Sequence, residues 1–242
     1  MEHDIENLNF YIDFDETIIH GHYFDKIFSK ENYTKEEFIE TFYCGVNYEE
    51  KKKIYDSIIN QFNIIKKLGH KIYILSLNIY PGFKKNISNF FGPFVDNIFI
   101  QEDEDIKKYT NDASIMEIKQ KLNITKYKYF DLNYMAILKI LFIKNHCKNN
   151  HFCLIDDDEN VCDKSSKYFY DDNSNDKLPI IKKKEKKEDL DIVLQKIIES
   201  TTYISNKKIS SYKKIYYKLK SLQLSSSSIK LNENKIYLKT NT

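Results

Sequence analysis

The sequence predicts an α/β fold, in which a doubly wound parallel sheet carries helices on both faces. Apolar segments of strand length alternate with longer segments whose apolar residues recur at helical spacing. This alternation indicates a parallel sheet, because right-handed crossovers place the connecting helices over its faces. With 242 residues, of which 41% are hydrophobic, the chain has enough apolar material for one core of domain size.

The first strand and the segment after it differ in character. The run from Leu8 to Ile12 is apolar and aromatic and is followed by acidic residues, which is typical of a buried parallel strand with a polar carboxyl end. Residues 20–46 are irregular and rich in aromatic side chains, with a short helical pattern at 35–43. We therefore predict a small insertion at about 20–46, before the first long helix.

The first long helix is predicted over residues 48–68. Asn47 and Glu50 have the spacing of a capping box, in which side chains bond to free backbone N–H groups of the first turn. Apolar residues then recur at helical spacing, and Gly69 supplies a stop signal. The remaining predicted strands occupy 70–75, 95–101, 126–130, 152–155 and 167–170. The remaining predicted helices occupy 82–91, 113–122, 133–147 and 188–199.

Charge divides the chain near residue 170. Residues 171–242 contain 16 lysines and 9 acidic residues, whereas residues 1–170 contain 22 and 27. Polar and lysine-rich stretches prevail beyond this point. We predict a folded domain over 1–170 and a basic, low-complexity extension over 171–242 with one helix. A solvated tail is favoured over a nucleic-acid contact, although its tyrosines could stack on bases.

Composition argues against several classes of protein. No apolar run approaches the roughly 20 residues of a bilayer span, and the acidic N-terminus lacks the layout of a secretory signal. A cytoplasmic or nuclear protein without a membrane segment is expected. The four cysteines show no CxxC spacing, so free buried thiols are expected. All 38 basic residues are lysines, so any phosphate must be held by lysine, hydroxyl or backbone N–H groups.

Acidic pairs follow two of the predicted strands. Asp13 and Asp15 come after the first strand, and Asp156 and Asp157 come after a later one. Open α/β sheets bind ligands in the crevice beyond the carboxyl ends of their strands. Four carboxylates converging there repel one another unless a cation is present, and Mg²⁺ is the simplest cation for oxygen ligands. Ser76, at the end of the second strand, could hold an anion beside them.

These residues resemble the motifs of the haloacid dehalogenase (HAD) superfamily of phosphatases. The stretch Asp13-Phe14-Asp15-Glu16-Thr17 is similar to its first motif, DxDx[TV]. Ser76 is similar to its second motif, a Ser or Thr that closes a strand, and Ile155-Asp156-Asp157 is similar to its fourth. The resemblance covers roughly residues 8–170 and implies a HAD-like, Rossmann-like core with a small cap insertion.

The resemblance implies a Mg²⁺-dependent phosphomonoester hydrolase. Asp13 would be the nucleophile that forms an aspartyl-phosphate, and Asp15 would be the general acid to the leaving oxygen and then the base to water. Mg²⁺ would be held by Asp13, the backbone carbonyl of Asp15 and Asp156, with Asp157 binding directly or through water. Ser76 would hold a phosphoryl oxygen.

The expected roles of three neighbours of these motifs are less specific. Thr17 would help to fix the tight turn after the first strand, at the edge of the phosphate site. Asn78 could order the loop beside Ser76, or it could cap the next helix. Asp158 is expected to be an N-terminal residue of the helix that follows, where a carboxylate is favourable.

The third motif of the superfamily is a lysine from the helix before the last acidic strand. Lys139 is the favoured candidate because its side chain has the reach, and Lys128 and Lys144 are alternatives. Lys139 stands a turn or more inside the helix, which supports an alternative function, a catalytically silent HAD-fold binding or regulatory protein. The presence of both Asp13 and Asp15 opposes that alternative.

The short insertion leaves the substrate open. A site that is only partly covered suits a phosphoprotein or a nucleic-acid end, or a small molecule enclosed by a partner subunit. The first motif is similar to that of phosphoethanolamine/phosphocholine phosphatases, whereas the paired acids followed by Asn160 are more similar to the magnesium-dependent phosphatase branch. The expected partner is a phosphorylated small molecule or a phosphoprotein.

Overall fold

The computed structural model describes residues 7–19, 32–42, 46–67, 69–78, 82–125, 132–147, 152–169 and 180–182. Within these stretches, the strands are Asn9–Ile12 (β1), Lys71–Leu75 (β2), Asn97–Phe99 (β3), Phe152–Asp156 (β4) and Ile180–Lys182 (β5). The helices are Lys35–Phe42 (α1), Tyr48–Lys67 (α2), Phe83–Phe91 (α3), Glu104–Lys107 (α4), Asp112–Leu122 (α5), Leu132–His146 (α6) and Glu159–Phe169 (α7). The α/β class that the sequence predicts is confirmed.

The described strands form one all-parallel sheet in the order β3-β2-β1-β4-β5. In the centre, Phe10 of β1 is paired with Ile72 of β2 on one side and with Cys153 of β4 on the other. The chain thus builds the sheet outward from β1 to β3 and then returns to the opposite side of β1. A reversal of this kind opens a crevice at the carboxyl end of the central strand. The arrangement is Rossmann-like.

Side chains of the central strand alternate between two apolar cores. Phe10 and Ile12 belong to a cluster that includes Phe62 of α2. Tyr11, which lies between them in sequence, belongs to a second cluster that includes Phe142 of α6. This alternation follows from the two-residue repeat of a strand. It shows that helices cover both faces of the sheet, as expected for a doubly wound fold.

The predicted insertion contributes α1 to the first of these cores. Thr34 and Glu37 form a capping box at the start of α1, in which each side chain accepts the other's backbone N–H, at 3.2 and 2.9 Å. Phe38 is fully buried and stacks on Phe90 of α3 with ring centroids 4.0 Å apart. Most of the remaining insertion lies outside the described residues.

Helix α2 begins and ends close to the predicted positions. The Oδ1 atom of Asn47 accepts the backbone N–H of Glu50 at 3.0 Å, so Asn47 caps the helix. Gly69 follows the helix with a φ of 86°. A side chain at Gly69 would be strained at this φ and would approach Oδ1 of Asn7. Glycine is therefore the residue that suits the turn into β2.

The predicted strand at 167–170 is wrong, because residues 159–169 form the helix α7. The buried residues of α7 recur at helical spacing, and they are Val161, Cys162, Ser165 and Tyr168. Polar residues between them weaken this pattern in the sequence, whereas the aromatic residues at the end of the segment favour a strand. The helix prevails because its apolar stripe packs on α5 and α6.

The sheet extends further along the chain than the predicted domain. Strand β5, at Ile180–Lys182, pairs with β4 beyond residue 170, where the sequence predicts the folded domain to end. The predicted strand at 126–130 and the predicted helix at 188–199 lie outside the described residues.

Membrane and redox features were also predicted from the sequence. None of the helices in the described ranges combines the length and the apolar character needed to cross a bilayer. Three cysteines, Cys147, Cys153 and Cys162, are free and buried, as predicted. The fourth, Cys44, lies outside the described residues.

Candidate functional site

The carboxyl ends of three neighbouring strands bring the predicted site residues together. Asp13 follows β1, and its backbone N–H donates to the carbonyl of Ile155 at 2.9 Å. Ser76 follows β2, and its backbone N–H donates to the carbonyl of Phe99 at 3.0 Å. Asp156 is the last residue of β4. Hydrogen bonding and strand pairing therefore fix all three backbones at one edge of the sheet.

A buried lysine lies between two of the carboxylates. The Nζ atom of Lys139 is 2.6 Å from Oδ1 of Asp13 and 2.6 Å from Oδ2 of Asp156. Lys139 belongs to the middle of α6 and is only 4% exposed. Burial of an ammonium group is costly unless opposite charges lie in contact with it, and here two carboxylates do so.

Lys144, another of the candidate lysines, does not lie at this edge. Lys144 lies one turn further along α6, where its Nζ pairs with Oε1 of Glu117 at 2.7 Å and both side chains are exposed. Lys128 lies outside the described residues. Lys139 is therefore the candidate that the described structure brings to the acidic residues.

Three carboxylates form a compact group of potential metal ligands. One side-chain oxygen from each of Asp13, Asp156 and Asp157 lies within 4.8 Å of the others. The hydroxyl of Thr17 links two of them, with Oγ1 at 3.3 Å from Oδ2 of Asp13 and 3.1 Å from Oδ1 of Asp157. Such a set of oxygen ligands suits a hard divalent cation. The side chain of Asp15 is not a member of this group.

A tight turn holds the residues that follow β1. The carbonyl of Phe14 accepts the backbone N–H groups of Ile18 and Ile19 at 3.0 and 3.2 Å. Glu16 has a φ of 58°, which costs a residue other than glycine about 1 kcal/mol. The turn places Thr17 beside Asp13, and this local strain is of the kind found at functional sites.

Asp15 forms a separate polar contact with Ser76, beside the group of Asp13, Asp156 and Asp157. Oδ2 of Asp15 accepts the hydroxyl proton of Ser76 at 3.0 Å, and the same hydroxyl accepts the backbone N–H of Asn78 at 3.2 Å. This backbone hydrogen bond orders the loop after β2, and any residue other than proline could form it at this position. The predicted capping role is not seen, because Gly82 is the residue at the N-terminal cap of α3. Ser76 is fully buried, so this chain of contacts is shielded from water.

Burial dominates the electrostatics of the acidic group. It raises the pKa of Asp13 well above its usual range, although Lys139 opposes the rise. It also raises the pKa of Asp156, again against Lys139. Burial would lower the pKa of Lys139, but the two carboxylates outweigh it and raise that pKa above its usual value. One ammonium thus faces several carboxylates, and a further cation would stabilise their ionised forms.

The carboxyl group of Asp15 has a milder environment. Burial raises its pKa to about 6, against the opposing effects of the Ser76 hydrogen bond, the charge of Lys139 and the Asn78 side chain. A pKa near neutrality lets one carboxyl group donate a proton and later accept one under the same conditions.

Hydrogen bonds hold the start of α7 against the end of β4, where Asp156 and Asp157 lie. Oδ1 of Asp158 accepts the backbone N–H of Asn160 at 2.8 Å, so Asp158 caps the helix as predicted. Oδ1 of Asp156 accepts the backbone N–H of Asp158 at 3.0 Å. The thiol of Cys162 lies 3.6 Å from the carbonyl of Asp156. The sequence contains no signal for this last contact, because a buried cysteine is equally common in any apolar core.

Comparison with known proteins adds no relative to this description. No protein-family model matches the chain, and no curated protein or solved structure does either. The chemistry of the site is defined by its own groups: a carboxylate paired with a lysine, three carboxylates that could share a cation, and a carboxyl group tied to a serine hydroxyl.

Proposed function

We propose that the chain is a Mg²⁺-dependent phosphomonoester hydrolase of the HAD type that acts through an aspartyl-phosphate. The observation that carries this proposal is the pairing of Lys139 with both Asp13 and Asp156 at the carboxyl edge of the sheet. A phosphate dianion repels carboxylates, so an enzyme that uses a carboxylate nucleophile must place cations beside it. Lys139 is a cation in that position, and it supplies the third motif that the resemblance requires.

Each step of the reaction has a candidate residue. A carboxylate oxygen of Asp13 attacks phosphorus and forms the aspartyl-phosphate, while the bond to the leaving oxygen breaks and Asp15 gives that oxygen its proton. Water then attacks the phosphoryl group, Asp15 takes a proton from the water, and Asp13 is released with inorganic phosphate. Lys139 stabilises the negative charge of the phosphoryl group throughout.

The acidic group fits a magnesium ion. Asp13, Asp156 and Asp157 offer oxygen ligands alone, within 4.8 Å of one another, and magnesium prefers such ligands. When bound, the ion would offset the repulsion between carboxylates and phosphate and would orient the phosphoryl group. The excess of buried carboxylates over ammonium groups supports the same assignment.

The substrate is a phosphorylated small molecule or a phosphoprotein in this proposal. Within the described part of the insertion, the helix α1 spans only eight residues and packs into the core through Phe38. An insertion limited to about residues 20–46 is too short to roof the crevice fully. Selectivity would then depend on the loops around the crevice or on a partner subunit.

The alternative of a catalytically silent protein rests on a lysine that fails to reach the site. Lys139 contacts Asp13 at hydrogen-bonding distance, so that support is lost. One experimental result would still support the alternative: the protein binds a phosphorylated ligand but does not hydrolyse it.

The proposal is tested with the purified full chain and p-nitrophenyl phosphate, followed by a panel of phosphorylated metabolites, each with Mg²⁺ and with a chelator. We expect turnover that requires Mg²⁺. Asp13→Asn should abolish it and leave the fold intact, because an amide neither attacks phosphorus nor carries the charge whose burial is costly. The metal-free variant should melt at a slightly higher temperature, because repulsion between carboxylates is relieved while Lys139 keeps its contact with Asp156. Retention of more than about a few per cent of the wild-type rate would show that another group is the nucleophile.

A further inference from the structure

The three acidic residues of the proposed magnesium site are not held in the same way. The ammonium group of Lys139 contacts Asp13 and Asp156, each at 2.6 Å. Both of these aspartates are buried, whereas Asp157 is only partly buried. Lys139 forms no ion pair with Asp157 in the described part of the chain. The carboxylate of Asp157 is therefore oriented by a different group.

The hydroxyl of Thr17 is that group. Its Oγ1 atom lies 3.1 Å from Oδ1 of Asp157 and 3.3 Å from Oδ2 of Asp13. A hydroxyl has a single proton to donate, and the shorter distance favours its donation to Asp157. The hydroxyl thus connects the carboxylate that Lys139 does not contact with one that Lys139 does contact.

The hydroxyl of Thr17 itself has a fixed position. Thr17 is only 3% exposed and lies in the turn where the carbonyl of Phe14 accepts the N–H groups of Ile18 and Ile19. A bridge between Asp15 and Ile19 spans the same turn. A β-branched side chain also has few accessible rotamers. The backbone and the side chain together therefore restrict where the hydroxyl can lie.

We infer that Thr17 is a positioning residue for Mg²⁺ binding: its hydroxyl orients the carboxylate of Asp157 toward Asp13 and Asp156. The inference rests on the proposed Mg²⁺-dependent hydrolase and goes beyond it, because the sequence gives Thr17 a role in the turn alone. Carboxylates that bind a metal are oriented by hydrogen bonds from outer groups, and loss of one such group typically lowers metal affinity about 10- to 100-fold. Without the hydroxyl, the partly buried carboxylate of Asp157 would turn toward water, where its charge is better solvated.

The experiment measures the Mg²⁺ affinity of the metal-free full chain by isothermal titration calorimetry, which requires no turnover. The rise of the melting temperature with Mg²⁺ concentration provides a second measure. Thr17→Val and Thr17→Ala remove the hydroxyl, and Thr17→Ser keeps it. Thr110→Val is the matched control, because the hydroxyl that it removes donates to the carbonyl of Lys107 and not to a carboxylate.

For Thr17→Val we expect the dissociation constant for Mg²⁺ to rise about 10- to 100-fold. Thr17→Ser and Thr110→Val should leave it within about threefold of the wild-type value, since both keep the hydrogen bond to Asp157. If Thr17→Val does not fold, the comparison of Thr17→Ala with Thr17→Ser decides, because serine and alanine also differ by the hydroxyl alone.

A double-mutant cycle tests whether Thr17 acts through Asp157. In the Asp157→Ala background, Thr17→Val should cause no further loss of Mg²⁺ affinity, because the carboxylate that the hydroxyl orients has been removed. A further loss of the same size in that background would show that the hydroxyl acts through Asp13, and it would overturn the inference.

The failure of this inference and the failure of the proposed function are distinguishable. Unchanged Mg²⁺ affinity in Thr17→Val would reject the positioning role, and Mg²⁺-dependent turnover by the wild type would still support the hydrolase. Absence of Mg²⁺ binding by the wild type would remove both. Mg²⁺ binding by the wild type without turnover of any phosphate ester would reject the hydrolase, and the affinities of the variants would still decide the role of Thr17.

Discussion

At the scale of single residues, the candidate site contains Lys139, whose burial costs free energy and whose removal would also lower the stability of the fold. Lys139 contacts two carboxylates that are themselves almost fully buried. Removing one member of a buried ion pair leaves the other without compensation, which typically costs 3–5 kcal/mol. In the proposed hydrolase the same ammonium would contact the phosphoryl group, so that stability and catalysis would both depend on it.

Lys139→Ala should lower turnover by two to three decades, which corresponds to about 3–4 kcal/mol of transition-state stabilisation. It should also lower the metal-free free energy of unfolding by about 3 kcal/mol, and Mg²⁺ should restore part of that loss. Steady-state kinetics and urea unfolding with and without Mg²⁺ measure both effects.

Lys144→Ala is the matched control on the same helix. Because Lys144 pairs with Glu117 on the surface, its removal should change stability by less than about 0.5 kcal/mol and leave the rate alone. A large loss of rate in Lys144→Ala, or an unchanged rate in Lys139→Ala, would contradict the placement of the cation.

His70 predicts a pH dependence of stability that is independent of the site. Its Nδ1 atom accepts the backbone N–H of Leu8 at 3.3 Å, and burial lowers the pKa of the ring to about 4. The unfolded chain takes up a proton below about pH 6.5, whereas the folded chain does so only near pH 4. The contribution of His70 to stability is therefore lost as the pH falls through this range, by about 2 kcal/mol between pH 7 and pH 5.

Urea unfolding of wild type and His70→Asn at pH 7 and pH 5 measures this contribution. The amide oxygen of asparagine can still accept the N–H of Leu8 but does not titrate. The variant should lose less stability than the wild type over this interval. Equal losses in the two proteins would show that other groups cause the pH dependence.

At the scale of elements, the short helix α1 is fixed to the core by two adjacent buried side chains, Phe38 and Ile39. Phe38 is fully buried, stacks on Phe90 and meets the rings of Tyr55 and Phe91 edge-on. An aromatic ring surrounded in this way contributes apolar burial together with favourable ring geometry. The attachment of α1 to α2 and α3 should therefore depend on this ring together with the adjacent Ile39.

Phe38→Ala should lower the free energy of unfolding by about 3–5 kcal/mol. Glu36→Ala, at an exposed position of the same helix, should change it by less than about 0.5 kcal/mol. Urea unfolding followed by circular dichroism compares the two. A small loss in Phe38→Ala would mean that the core repacks around the gap, or that α1 contributes little to the stability of the domain.

The elements also show which signals in the sequence were sufficient to predict the strands and the position of the candidate site. The strands β1, β2 and β4 are apolar runs bounded by polar residues, and acidic residues at two of their ends predicted where the site would form. The rotation of α6 about its own axis, which decides the side to which Lys139 points, could not be predicted in the same way. It is apolar on all sides from Ala136 to Ile143, so its sequence has no polar stripe to show which way Lys139 points.

At the scale of the whole molecule, the sequence placed the fold class and the acidic edge but not the extent of the sheet. Strand β5 has only three residues and ends in the lysine-rich run, so composition assigned it to the extension. Its place in the sheet depends on pairing with β4, a partner that composition does not reveal. The contacts of Lys139 are likewise a product of the fold, since Asp13 lies 126 positions away in sequence.

Two truncations test the limits of the domain. A chain that ends after Ser200 should keep its fold and Mg²⁺-dependent turnover, because the described site residues and β5 all precede that point. A chain that ends after Tyr170 loses β5, which pairs Ile180 with Leu154 and Lys182 with Asp156. It should lose about 2–3 kcal/mol of stability, at about 1 kcal/mol for each ladder hydrogen bond.

Thermal unfolding and turnover of both truncated chains provide the measurement. Equal stability of the two chains would show that β5 contributes nothing to the sheet. Loss of folded protein on truncation after Ser200 would show that the basic extension packs on the core, and the domain boundary would then lie further along the chain.

The central position of β1 has a consequence for the way the chain reaches its native state. Asn9 is paired with Phe152, so the middle of the sheet joins residues more than 140 positions apart. Pairing at such long range closes a large loop and makes folding slow. During synthesis, one edge of β1 has no native partner until β4 has left the ribosome. A nascent chain shorter than about 156 residues therefore exposes an apolar strand edge that is prone to aggregate, and it is a natural client for a chaperone.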